Sequence, residues 1–140
     1  MSTSPTVAVL LGSDSDLPKL QGCFEALESL GIPYEVRILS AHRSPEALEE
    51  FLAQAPSRGT RVFLCAAGGA AHLAGTVAAR TVLPVIGIPV EGSLLGGLDA
   101  LLSTVQMPGG VPVATVGVGG GGPKNAGLLA ARMLALSDRE

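Results

Sequence analysis

Five short apolar runs alternate with stretches of helical periodicity along this chain, and that alternation constrains the fold more than any other feature. The runs are TVAVLLG (6–12), PYEVRILS (33–40), RVFLCAA (61–67), LPVIGIP (83–89) and VPVATV (111–116). Between them, Leu17, Leu20, Phe24 and Leu27 recur at spacings of three and four and predict a helix ending near Gly31. Pro45 opens a second helix with Leu48, Phe51, Leu52 and Ala55 on one face. AAHLAGTVAART (70–81), GLDALLSTVQ (97–106) and NAGLLAARMLAL (125–136) predict three more. Strands that are apolar on both faces, each separated by a helix, form a mostly parallel sheet covered on two sides. The reading is an α/β, three-layer, flavodoxin-like domain with strand order 2-1-3-4-5, occupying residues 1–140 as one unit.

Composition narrows the function. The net charge is -3 and aromatic residues make up 3% with no Trp, which leaves neither a basic footprint nor a stacking platform for nucleic acid. The apolar stretch 62–90 is interrupted by His72, Arg80, Pro84 and Pro89, so no membrane span is expected. Hydrophobic residues reach 47% and charged ones only 15%, which points to a chain that buries surface against copies of itself. The nearly apolar helix at 70–81 fits burial on both of its sides, against the sheet and against a second subunit. Cys23 and Cys65 read as buried thiols; with no signal-peptide pattern, the expected compartment is a reducing cytoplasm.

In an open parallel sheet, ligands bind beyond the carboxyl ends of the strands, where the strand order reverses. In the order 2-1-3-4-5 that point lies between the first and third strands. Three unusual loops meet there: GSDSD (12–16), SAHR (40–43) and AAGGAAH (66–72). Both histidines of the chain are among them. Ser15 or Asp16 is expected to cap the helix that follows, and Asp16 can also accept hydrogen bonds from ribose hydroxyls. Ser13 and Ser15 sit where free N–H groups bind anions.

His42 has two readings: a loop histidine satisfied by backbone, or a group that gives and takes a proton in one cycle near neutral pH. Arg43 is either a phosphate clamp or a surface partner of Glu46 or Glu49. Ser40 is expected to support this turn by hydrogen bonding. Gly68 and Gly69, which lack side chains, bring backbone close to a ligand, and Ala70 narrows the cavity. The role of His72, second site residue or structural donor, is left open by the sequence. Two histidines and scattered acids make no metal site. GVGGGGPKNAG (117–127) is read as a loop leading into a helix, since its context does not match a dinucleotide fingerprint.

Taken together, GSDSD, SAHRSP, AGGAAHLAG, PVIGIPV, GLDALLSTVQMPGGVPVATV and NAGLLAARML resemble, in order and spacing, the N5-carboxyaminoimidazole ribonucleotide mutases, the class I PurE family of purine biosynthesis. The resemblance spans residues 7–136. It implies a flavodoxin-like subunit, a homo-octamer, a small ribonucleotide substrate and no metal or organic cofactor. It implies that His42 is the general acid/base and that Ser13, Ser15, Asp16, Ser40, Arg43, Gly68, Gly69, Ala70 and His72 bind substrate. A sister form of the family carboxylates aminoimidazole ribonucleotide directly with carbon dioxide; AGGAAHL resembles the mutase form. The chain departs from the family pattern at Ala74, where Pro is usual, at Ala100, where Ser is usual, and in the glycine-rich 117–122 loop.

Overall fold

A computed structural model describes residues 4–92 and 95–138. Its core is a five-stranded, all-parallel sheet in the order β2-β1-β3-β4-β5, as the alternation predicts. The strands are β1 (Val7–Leu11), β2 (Tyr34–Ile38), β3 (Val62–Ala67), β4 (Val85–Pro89) and β5 (Ala114–Thr115). The helices are α1 (Gln21–Ser29), α2 (Pro45–Gln54), α3 (Leu73–Ala78), α4 (Leu98–Val105) and α5 (Gly122–Ala135). Val9 of β1 lies opposite Val36 of β2 and Leu64 of β3, which sets the register of the central strands.

Side chains alternate across a strand, so β1 feeds both faces of the sheet. Val7, Val9 and Leu11 pack with Leu20, Cys23, Leu27, Ala126, Ala130 and Leu134 under α1 and α5. Ala8 and Leu10 pack with Leu48, Phe51, Leu52, Leu73 and Val77 under α2 and α3. Every residue of β1 is buried, which is the physical reason its sequence shows no polar alternation. The two cysteines lie in opposite layers, Cys23 with the first cluster and Cys65 with the second, and both are free thiols. Burial pushes the Cys23 thiol up to about 12 and raises that of Cys65 as well, so neither is poised as a nucleophile.

The structure corrects several boundaries. Residues 14–20 form a 3-10 helix containing Pro18, and the α-helix begins only at Gln21. Ser13, rather than Ser15 or Asp16, caps it: the Ser13 hydroxyl accepts the Ser15 N–H at 3.3 Å. α3 is six residues long: residues 70–72 lead into it without helical structure, and the chain turns at 79–80. β5 pairs over two residues only; Pro112 has no N–H to give a ladder at this edge. The last helix starts at Gly122, earlier than predicted, with Pro123 in its first turn. Among the described residues, no helix is long and apolar enough to cross a membrane.

The glycine-rich loop has a packing reason at Gly122. A Cβ there would be driven into the Gly117 carbonyl, at the point where the loop closes onto the start of α5. Gly122→Ala is expected to cost about 1–3 kcal/mol, as overpacking of rigid backbone does. Urea denaturation of the variant measures this; an unchanged midpoint would mean that the loop yields.

Candidate active site

Three loops at the carboxyl edge of the sheet enclose a cleft of about 170 Å³. Its walls include Gly12, Ser13 and Asp16 after β1, Ser40 to Arg43 after β2, and Ala67, Gly68, Ala70, His72 and Leu73 after β3. Of the ten residues singled out in the sequence, eight line it. The other two stand just outside. The Ser15 hydroxyl lies 2.9 Å from that of Ser13, and Gly69 takes the positive φ of +61° that the loop needs to turn back. Gly12 and Leu73 also line the cleft, and nothing in their spacing marks them out.

The 40–44 turn is held by two serines. Ser40 Oγ accepts the backbone N–H of His42 at 3.2 Å and that of Arg43 at 3.1 Å. Ser44 Oγ accepts the Ser40 N–H at 3.1 Å and donates to the Ser40 carbonyl at 3.2 Å. The turn is thus held through its backbone, and His42 and Arg43 line the cleft. Ser44 was hidden in the sequence because a serine before a helix reads as an ordinary cap. Its hydroxyl makes no such bond in this structure.

The histidines meet. His42 Nε2 lies 2.8 Å from His72 Nδ1, with the rings edge to face at 4.9 Å between centroids. One proton occupies that bond, so one ring donates and the other accepts. The bond therefore ties the tautomer of His42 to that of His72. His72 is thus a direct partner of His42, which sequence separation alone does not reveal.

Arg43 is exposed on the cleft wall and has no carboxylate within ion-pairing distance among the described residues. Of the two partners considered for it, Glu49 is bound by Arg80 at 2.9 Å, and Glu46 makes no ion pair with any described residue. The guanidinium is therefore available to an anion. Asp16 is 8% exposed, yet its carboxylate accepts no hydrogen bond from any described residue. Its oxygens keep access to solvent at the cleft wall, where a ligand's donors can replace water.

Burial holds the Asp16 carboxyl above its ordinary value, with Lys19 opposing the shift. The folded chain then binds the proton more tightly than the unfolded one. Stability from this group is fullest in acid, below the ordinary carboxylate range, and falls as pH rises through the raised value. Asp16→Asn is expected to raise the thermal midpoint at neutral pH, with the gain vanishing in acid. Melting curves at the two pH values check this, and an equal gain at both would contradict the cause given.

Size alone does not mark the site. A larger cleft of about 410 Å³ lies toward α5, lined by Lys19, Val90, Glu91, Gly119 and Pro123 among others. Lys19 Nζ there donates to the Glu91 carbonyl at 2.8 Å, and no histidine reaches it. Among the described residues, no three His, Cys, Asp or Glu side chains gather as a metal-ligand set.

The fold and the smaller cleft define a flavodoxin-like α/β protein with two hydrogen-bonded histidines, and an arginine without an ion pair among the described residues, at its topological switch point. The family described as AIR carboxylase matches residues 6–140, and the chain belongs to it. The N5-carboxyaminoimidazole ribonucleotide mutase of Mycobacterium tuberculosis is 57% identical over 134 residues, covering 96% of this chain and 76% of that protein. The protein of the same name from Pyrococcus horikoshii is 52% identical over 135 residues, covering 96% and 75%. The Bacillus subtilis protein of that name is 49% identical over 136 residues, covering 97% and 84%. The crystal structure of Treponema denticola PurE superposes with a TM-score of 0.86 at 32% identity, covering 96% of this chain and 83% of that one.

Proposed function

We infer that this chain is an isomerase of purine biosynthesis that converts N5-carboxyaminoimidazole ribonucleotide to 4-carboxy-5-aminoimidazole ribonucleotide. The observation that carries the reading is the His42–His72 pair in one small cleft with Arg43 and Asp16, whose charged groups have no side-chain partner among the described residues. It is supported by relatives of that name at 49–57% identity.

The roles follow from the chemistry. Arg43 forks onto the substrate phosphate, and Ser13 helps orient it. Asp16 accepts the ribose hydroxyls, which supply the donors its carboxylate lacks. The bond between the substrate's exocyclic nitrogen and its carboxyl carbon breaks, releasing carbon dioxide inside the cleft. His42 protonates that nitrogen. The electron-rich ring carbon then attacks the trapped carbon dioxide, and His42 removes the ring-carbon proton. One imidazole suffices because the net change is an isomerisation. Gly68 and Ala70 wall the small space that keeps carbon dioxide next to the ring, and Gly69 turns the loop back just outside it. Retaining both fragments avoids a second encounter, an advantage worth ~7–11 kcal/mol in favourable systems.

Loss of the Asp16 carboxylate is expected to raise KM about tenfold or more, the worth of a charge-assisted hydrogen bond. The same Asp16→Asn variant would thus be more stable and bind worse, a trade common at binding sites. Steady-state kinetics decide this; an unchanged KM would remove the ribose assignment.

We place the enzyme in the cytoplasm as a homo-octamer. On α4, Leu98, Leu102 and Val105 stand 50%, 49% and 43% exposed at helical spacing, an apolar stripe that a second copy would cover. The adjoining 106–110 loop would then reach a neighbour's cleft. Light scattering of the purified protein tests the assembly, and a fully active monomer would refute it.

The competing reading is direct carboxylation of aminoimidazole ribonucleotide, the activity in the family's description. Turnover of N5-carboxyaminoimidazole ribonucleotide in bicarbonate-free buffer supports the isomerase. Activity only from aminoimidazole ribonucleotide plus bicarbonate would establish the carboxylase instead.

A further inference from the structure

One residue outside the cleft binds the backbone of its third wall. Ser103 lies in the second turn of α4, and its Oγ accepts the N–H of Ala71 at 2.9 Å. Its own proton goes to the Asp99 carbonyl one turn back at 2.6 Å, with the Gly69 and Ala100 carbonyls farther off at 3.3 Å each. The short bond within the helix fixes the hydroxyl and turns a lone pair toward Ala71. Ala71 is 1% exposed, so its N–H has no water to fall back on.

The position of this bond in the loop matters. Ala71 lies between Ala70 and His72, both of which line the cleft, and the His72 N–H donates to the Ala70 carbonyl at 2.9 Å. The loop has little else to hold it. Gly68 and Gly69 contribute no side chains, and Gly69 is in the left-handed region. Ala70 is exposed and the His72 ring is engaged with His42. Among the described residues, Ser103 is the only side chain that hydrogen-bonds to the 68–71 backbone. A bare, glycine-containing wall is rigid only if something outside it fixes its backbone.

We propose that Ser103 is a positioning residue: through Ala71 it holds the 68–72 loop closed, so that carbon dioxide is retained and His72 stays in line with His42. The proposal rests on the isomerase reading above and extends it to a residue that touches no substrate. It predicts a specific defect. Removing the hydroxyl should leave substrate binding and bond cleavage largely intact while letting carbon dioxide escape before recapture. Substrate would be consumed, but part of it would end as aminoimidazole ribonucleotide rather than as the carboxylated product.

The test follows substrate labelled with carbon-13 in the carboxyl group, turned over by Ser103→Ala, Ser103→Cys and Ser103→Thr in buffer containing unlabelled bicarbonate. Hydrogen exchange at the Ala71 amide is measured in parallel on the same proteins. For Ser103→Ala we expect about a tenfold loss of Ala71 protection, the worth of one buried hydrogen bond. We also expect KM to change little, label retention in the product to fall at least twofold, and free aminoimidazole ribonucleotide to appear. Ser103→Cys, close in shape but a weak acceptor, should show the same defect in milder form and serves if the alanine variant does not fold. Ser103→Thr keeps an oxygen that can bond back to the helix and should restore both readouts.

Unchanged Ala71 protection would overturn the proposal, because the bond would then hold nothing. Lost protection with full label retention would overturn it too, because the loop would then be irrelevant to carbon dioxide. In both cases the wild type still converts its substrate and the isomerase reading stands. Failure of the wild-type chain to convert N5-carboxyaminoimidazole ribonucleotide at all would instead sink that reading and take this proposal with it.

Discussion

Replacing His42 with Asn is expected to lower kcat by about 10²–10⁴-fold, the range for loss of a positioned acid/base group. The change is a clean one. His42 is exposed, and its turn is held by Ser40 Oγ on the His42 and Arg43 backbone rather than by the imidazole. Asn can still hydrogen-bond to His72 but cannot carry a proton through the cycle. Substrate affinity and the thermal midpoint should therefore stay close to wild type. Turnover measured beside melting curves separates chemistry from folding. Near-normal turnover would show that the proton moves through another group, and His72, bonded to His42 at 2.8 Å, would be examined first.

The second large effect is expected at Arg43. Arg43→Ala should raise KM by about two orders of magnitude, since two charge-assisted hydrogen bonds are lost together. The guanidinium costs nothing to free, because no carboxylate among the described residues holds it and Glu49 is engaged by Arg80. Arg43→Lys should recover part of the binding, as a point charge without the fork. The phosphate role predicts that both variants keep kcat at saturating substrate. Titration with substrate decides the matter; a KM unchanged in Arg43→Ala would return the residue to the surface.

The architecture could be read from the chain because a parallel sheet buried on both faces leaves a strong signal. Val7 to Leu11 must be apolar throughout when α1 and α5 cover one side and α2 and α3 the other. Strand order then brings the loops after β1, β2 and β3 to one edge, which is why residues as distant as Asp16, His42 and His72 can be associated from the sequence alone. Boundaries were harder. Pro18 is compatible with several helical geometries, and periodicity does not distinguish a 3-10 start from an α-helix. The weak pairing of β5 depends on Pro112 at an edge, a tertiary circumstance.

Within the site, residue types were legible but their pairings were not. GSDSD announces a cap and points to Ser15 or Asp16 as its provider; backbone geometry chose Ser13 instead and left Asp16 lining the cleft. The His42–His72 bond joins residues thirty positions apart, and no local pattern encodes it. Ser103 was the least visible of all. In the apolar run LLSTV it reads as a tolerated polar residue, and its meaning appears only when α4 is laid beside the 68–72 loop.

The most direct test of the account is the fate of the carboxyl carbon. Wild-type protein would be given substrate labelled with carbon-13 in the carboxyl group, in buffer containing excess unlabelled bicarbonate. The product's new carboxyl group would then be analysed by carbon-13 NMR. The account predicts that most of the label reappears there, since the carbon dioxide released in the cleft is recaptured before it escapes. A product carboxylated from the unlabelled pool would contradict it, because the carbon dioxide would then have left the cleft before recapture.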